Sequence, residues 1–156
     1  MNSKTLLPLL VLSIVTLAGC ASTPVQPLAR PSSDMRGELV VYRESAFAAG
    51  AVGLTVGASG SAFAVLGNSE KVTALLPTGD HEVFVQARSA EPTKVRVNLR
   101  NGGRVCLRTS SSPSTYAKVL VPITLITTGY HFYLDQVPCP TEEDLAKYKD
   151  VPVAYR

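Results

Sequence analysis

Thr93-Lys94-Val95-Arg96-Val97-Asn98-Leu99-Arg100-Asn101-Gly102-Gly103-Arg104-Val105-Cys106-Leu107-Arg108-Thr109 is the stretch whose reading decides the fold. Val95, Val97 and Leu99 alternate with polar residues, and so do Val105 and Leu107. A period of two marks a strand with one face in a core. Asn101-Gly102-Gly103 between the two runs is a turn signal. Keeping these apolar side chains on one face predicts a hairpin with a three-residue loop, Leu99 opposite Val105 and Val97 opposite Leu107. A slip of one residue would turn the apolar set into water. The same register gathers Lys94, Arg96, Arg100, Arg104 and Arg108 on the opposite face, with Arg100 across from Arg104 and Arg96 across from Arg108. Like charges so opposed are unfavourable. The face is therefore expected either to splay into solvent, pairing with Glu38 or Glu44, or to hold an anion. That anion would be a lipid phosphate, lipopolysaccharide, an acidic glycan or an acidic partner protein.

Working outward, the remaining runs are also short and strand-like. Gly37 to Ser45 contains Leu39, Val40, Val41 and Tyr42, a continuous apolar run that predicts a central strand buried on both faces. Ser45 to Ser69 carries no charge and is punctuated by glycines. Gly53 and Gly57 have the spacing of a membrane small-residue motif, but so many glycines and serines dilute the hydrophobicity. The preferred reading is a hairpin, Val52 to Val56 with Ala62 to Leu66 around Gly57-Ala58-Ser59-Gly60. No Gly-Lys-Ser/Thr follows, which excludes a phosphate loop.

Lys71 to Leu76 predicts a further strand, ended by Pro77-Thr78-Gly79. His81 to Arg88 alternates, with Val83, Val85 and Ala87 on one face and Glu82, Phe84, Gln86 and Arg88 on the other. Tyr116 to Thr128 is apolar and β-branched but interrupted by Pro122, so it reads as an edge strand or a lipid- or partner-facing loop. Tyr130 to Val137 is the expected closing strand. Thr141 is placed to cap a helix over Glu142 to Asp150, and Val151 to Arg156 forms a tail that docks or frays. At 156 residues, without tryptophan, the chain is expected to hold one all-β domain over residues 37–156, an antiparallel β-sandwich with a short C-terminal helix.

The amino terminus is of another kind. Met1 to Lys4 is polar and basic, Thr5 to Leu17 is apolar and too short to span a bilayer, and Leu17-Ala18-Gly19-Cys20 follows. This run resembles the bacterial lipobox. The resemblance implies that residues 1–19 are a signal peptide and that Cys20 is lipidated with diacylglyceryl and fatty acyl (palmitate) chains, enough for firm anchoring. Ala21 and Ser22 lack the aspartate of an inner-membrane retention signal, so the outer membrane facing the periplasm is expected. Residues 20–36, with Pro24, Pro27 and Pro31, read as a lipidated tether.

Removing Lys4 with the leader leaves 14 basic against 12 acidic side chains, a net charge of +2, which is too mild to suggest a nucleic-acid partner. Lipidation of Cys20 leaves Cys106 and Cys139 as an even pair for an oxidising compartment, and a structural disulfide is expected. The other reading is a thiol at Cys106 made reactive by neighbouring guanidiniums.

Tyr42-Arg43, the glycine-rich hairpin, and Leu76-Pro77-Thr78-Gly79-Asp80-His81-Glu82-Val83 together resemble a family of small bacterial lipoproteins known by a domain of unknown function. The similarity spans about Gly37 to Leu134 and implies a β-sandwich-like fold without an activity. His81 and its sequence neighbours Asp80 and Glu82 point to opposite strand faces, so the carboxylates cannot readily orient it. His131 shares a face with Tyr133 and Asp135, but no metal-ligand spacing accompanies either histidine. No catalytic residue, metal or cofactor is expected. The expected role is non-catalytic, structural or recognition, with an envelope protein, anionic lipid or glycan as partner. The rivals are a small periplasmic enzyme built on His131, Tyr133 and Asp135, and an adaptor using Tyr116 to Thr128.

Overall fold

The computed structural model describes residues 24–47, 49–88, 90–112 and 130–156. Cys20, the leader and Tyr116 to Thr128 lie outside them. The strands are β1 (Arg36–Arg43), β2 (Leu54–Ala58), β3 (Ser61–Leu66), β4 (Glu70–Pro77), β5 (Gly79–Ala87), β6 (Thr93–Leu99), β7 (Arg104–Ser111), β8 (Phe132–Val137) and β9 (Lys149–Val151), with one helix, α1 (Glu142–Leu145). They form a five-stranded sheet ordered β8-β7-β1-β4-β9 and a four-stranded sheet ordered β3-β2-β5-β6. One core joins the inner faces, with Leu39, Val41, Val72, Ala74 and Leu107 from the first and Leu54, Val56, Val83, Val85, Val97 and Leu99 from the second. The all-β sandwich-like fold is as expected, and β1 is the central strand of its sheet.

The sheets are mainly antiparallel, as expected, with two parallel pairs, β1 with β7 and β4 with β9. The hairpin expected over Thr93 to Thr109 is corrected. β6 pairs with β5 in one sheet and β7 pairs with β1 and β8 in the other. The loop explains the difference. Gly102 N–H donates to the Arg36 carbonyl, Glu38 N–H donates to the Gly103 carbonyl, and the Asn101 side chain accepts from Arg36 N–H. The loop therefore bonds to the start of β1 instead of closing a ladder between β6 and β7. Gly102 supplies the positive φ (64°) this path needs. Val97, Leu99 and Leu107 are buried as the alternation requires, but they meet across the sandwich.

Pro77-Thr78-Gly79 is a second crossing of the same kind, since β4 and β5 belong to different sheets. The β2–β3 hairpin is as expected, with a tighter turn at Ser59-Gly60, both at positive φ (49° and 84°), and a register shift at Val56/Gly57. The expected Glu142 to Asp150 helix is cut to α1. Its N-cap is Thr141, whose hydroxyl accepts from Asp144 N–H, and the chain then leaves to add β9 to the sheet edge.

The tail docks. Leu28 N–H donates to the Ala154 carbonyl and Arg156 N–H to the Leu28 carbonyl, while the Leu75 N–H donates to the Tyr155 hydroxyl. Gln26 N–H donates to the Ala62 carbonyl. The segment read as a tether is thus held against the domain from Gln26 onward.

Arg43 is the largest of the fully buried side chains, only 1% exposed. It ends the inward series Leu39, Val41, Arg43 of β1 and donates to the carbonyls of Ala49, Val52 and Leu66, with its guanidinium 4.9 Å from the Phe132 ring centroid. Burial lowers its pKa, an effect opposed by the nearby Glu70 charge.

Two outcomes follow for stability. Arg43→Met keeps the length of the side chain but strands these carbonyls, and chemical denaturation is expected to show a loss of about 3 kcal/mol or more. An unchanged midpoint would contradict the assignment. At Gly57, an added Cβ would lie 2.2 Å from the Phe84 ring and 2.6 Å from the Ser61 carbonyl. Gly57→Ala is expected to cost about 1 to 3 kcal/mol by overpacking, and Phe84→Ala in the same chain to recover part of it, read as a non-additive double-mutant cycle.

Candidate functional site

The cations singled out by alternation do not share a surface. Alternation sends them outward from both sheets, and because β6 and β7 lie in different sheets, outward means opposite sides of the sandwich. On β6, Lys94 stands opposite Phe84 and Arg96 opposite Glu82. Lys94 Nζ is 2.8 Å from a Glu82 carboxylate oxygen. Glu82 is held below its usual carboxylate pKa by hydrogen bonding and attraction from Lys94, with a smaller attraction from Arg96. On β7, partners in the parallel pair with β1 share a face, which puts Glu38 beside Arg104, Val40 beside Cys106 and Tyr42 beside Arg108. Arg104 is bridged by both Glu38 and Glu142, whose hydrogen bonds raise its pKa. Arg108 lies 3.7 Å from Glu44. Arg100 has no carboxylate within ion-pair reach among the described residues.

Cys106 is 1% exposed on the outer face of the five-stranded sheet, in a small apolar cluster with Val40, Tyr42 and Leu145. Its sulfur is 2.09 Å from that of Cys139, disulfide distance, and the pair is separated by 33 residues in sequence. The bridge fastens the chain entering α1 over this face. A free reactive thiol at Cys106 does not fit that geometry.

Tyr42 and Tyr148 close the other side of the cluster, ring centroids 5.1 Å apart. Burial first raises both phenol pKa values, and then Coulombic repulsion adds to the rise, from Tyr148 for Tyr42 and from Glu44 for Tyr148.

The histidines occupy structural or open positions. His81 Nε2 is 2.8 Å from the Pro77 carbonyl and Nδ1 is 3.3 Å from the Ser59 hydroxyl, so the ring ties the β4–β5 crossing to the β2–β3 turn. A shallow depression of about 450 Å³ beside it is lined by Asp80, His81, Glu82, Arg96, Val97 and Asn98, with Asp80 accepting from Asn98. On β8 the buried residues are Phe132 and Leu134, which leaves Tyr133 and Asp135 on the outer face, Tyr133 half exposed. Asp135 is the ladder partner of Arg108 and Tyr133 that of Ser110. His131 precedes the strand, and its carbonyl accepts from Ser112 N–H. Among the described residues, Tyr133 and Asp135 lie on an exposed strand face, with His131 just before it. Among the described residues no group of three or more His, Cys, Asp or Glu side chains is placed to hold a metal.

Arg43 is the side chain that sequence reasoning missed. It stands at the polar end of an apolar run, where an arginine ordinarily reaches solvent. Only its inward parity after Leu39 and Val41 marked it.

No family model, characterised protein or solved structure matches this chain.

The two phenols generate a pH dependence. A folded-state pKa raised above the unfolded value of about 10 contributes stability that is complete below that pH and lost as pH rises through the folded value. The thermal midpoint is expected to hold to about pH 9 and fall above pH 10, and Tyr148→Phe to flatten the fall. An equal fall in the variant would assign it elsewhere.

Proposed function

We propose that this chain is a lipid-anchored, non-catalytic module of the bacterial envelope, held in the outer membrane through Cys20 and facing the periplasm, with a structural or recognition role toward an anionic envelope component. The observation that carries the reading is the pairing of Cys106 with Cys139. It leaves Cys20 as the cysteine outside the pair, at the one position where the run Leu17-Ala18-Gly19-Cys20 resembles a lipidation motif. A bridged pair also suits an oxidising compartment. The small sandwich, with His81 tied between two turns, supports a binding or structural role over catalysis. The anionic partner no longer rests on a five-cation face. Lys94, Arg104 and Arg108 are taken by carboxylates, which leaves Arg96 and Arg100, on the β6 side, without an ion pair among the described residues.

Metabolic labelling tests the anchor. Expressed in a Gram-negative host given an alkyne analogue of palmitate, the full chain is expected to take up label and sediment with outer-membrane fractions. Cys20→Ser is expected to lose the label and leave those fractions. Label retained in the variant, or parent chain recovered free in the periplasm, would overturn the reading.

A further inference from the structure

We infer that one end of the sandwich is a membrane-docking surface, in which Arg36 and Arg100 meet the phosphates of anionic lipid headgroups and Met35 enters the interface between them. The inference rests on the lipid anchor proposed above and adds an orientation of the domain on the bilayer.

Three loops build that end. β1 begins there at Arg36, which pairs with Pro77 at the end of β4. The Pro77–Gly79 crossing lies beside it, with Thr78 N–H donating to the Met35 carbonyl. The Asn101–Gly103 loop closes the group through its bonds to Arg36 and Glu38. The backbones of β1 and the loop approach so closely that a Cβ on Gly37 would sit 2.9 Å from the Arg100 carbonyl. Arg36 and Arg100 are therefore held on neighbouring backbone, not on independent flexible loops.

The cations at this end are not tied into ion pairs, whereas Lys94, Arg104 and Arg108 on the flanks are. Neither Arg36 nor Arg100 has a carboxylate within ion-pair reach among the described residues. Arg30, 5.1 Å above the Tyr155 ring, adds a third cation held by an aromatic face. Of the nearby acids, Glu38 and Glu142 bridge Arg104, while Asp34 and Asp80 accept from the neutral donors Ser33 and Asn98 and keep their charge without pairing to either arginine. Met35, at 61% exposure, sits between Asp34 and Arg36 as an unpartnered apolar side chain. Cations around an exposed apolar residue form the pattern of a peripheral membrane contact.

The length of free chain selects the occupant. Gln26 is hydrogen-bonded to Ala62, so five residues lie between a lipidated Cys20 and the docked chain. Fully extended, the six steps from Cys20 to Gln26 reach about 20 Å. The N-terminal segment lies on this end, where Gln26, Pro27, Leu28 and Ala29 border Ser59, Pro77 and Arg156. A leash that short, leaving from this end, keeps it facing the headgroups. The opposite end carries the fully exposed Phe47 in the loop clamped by Arg43, and it provides an internal control.

The chain contains no tryptophan, so single-tryptophan variants report position directly. Full chain expressed and processed in a Gram-negative host is purified from membranes and reconstituted into phosphatidylcholine vesicles with or without phosphatidylglycerol bearing brominated acyl chains. Met35→Trp is expected to blue-shift and be quenched in the anionic vesicles, but much less in purely zwitterionic ones or at high salt. Phe47→Trp is expected to be unaffected in all of them. Adding Arg36→Glu and Arg100→Glu to Met35→Trp is expected to lower the ratio of docked to undocked protein by about fivefold per arginine or more. Equal emission and quenching for Met35→Trp and Phe47→Trp in vesicles that retain the protein would overturn docking and leave the anchor standing. Protein that does not stay with the vesicles would overturn both.

Discussion

A guanidinium sealed between two sheets is the constraint on which the rest of the structure depends. Among the described residues Arg43 has no carboxylate in hydrogen-bond contact. Its charge is answered by the carbonyls of Ala49, Val52 and Leu66 and by the face of Phe132. An uncompensated charge in such a place would be very costly, so these partners must be in position whenever the domain is folded. The consequence is topological. Arg43 is the last residue of a central strand in one sheet, while Val52 precedes β2 and Leu66 ends β3 in the other. The side chain therefore fixes the path from β1 into the second sheet and the height at which the β2–β3 hairpin sits. Lysine, with donors on a single atom, could not reach carbonyls spread in this way.

How much of this was legible in the sequence depends on the range of the interaction. Alternation is local, and it marked the inward side chains of β5, β6 and β7 correctly, since Val83, Val85, Val97, Leu99 and Leu107 are all buried. It cannot distinguish a hairpin from a crossing between sheets, because both place the same side chains toward the same core. The deciding bonds join Gly102 and Gly103 to Arg36 and Glu38, more than sixty residues earlier. The five-cation face followed from the hairpin and fell with it. On opposite flanks three of the same residues find an acid, Glu38 for Arg104 and Glu44 for Arg108 as the sequence offered, and Glu82 for Lys94, which it did not.

The ends of the chain illustrate the same limit. Pro24 to Arg36 has the composition of a linker, and by composition alone Leu28 is a stray apolar residue. It gains a partner only because β9 runs parallel to β4 and delivers Ala154 to Arg156 alongside it. Likewise the acidic first turn of α1 was legible, whereas its early end was not. Lys149 to Val151 leaves the helix because the free edge of β4 satisfies their backbone groups as well as another helical turn would.

The disulfide and the buried arginine divide the stabilisation between the two sides of the five-stranded sheet. Its inner face is committed to the core and to Arg43. Its outer face is covered by Leu145 and Tyr148, with Cys139 bridged to Cys106 beneath them. Lys94, Arg104 and Arg108 on the flanks are paired with nearby acids, so their fields die within a Debye length of about 8 Å. At the end formed by Arg36 and Arg100 the guanidiniums have no ion-pair partner among the described residues, so their donors are open to an anion from outside. A domain arranged in this way presents paired and unpaired cations on different parts of its surface although its net charge is small. Partners are then discriminated by the end they approach, which is information that total charge and composition do not contain.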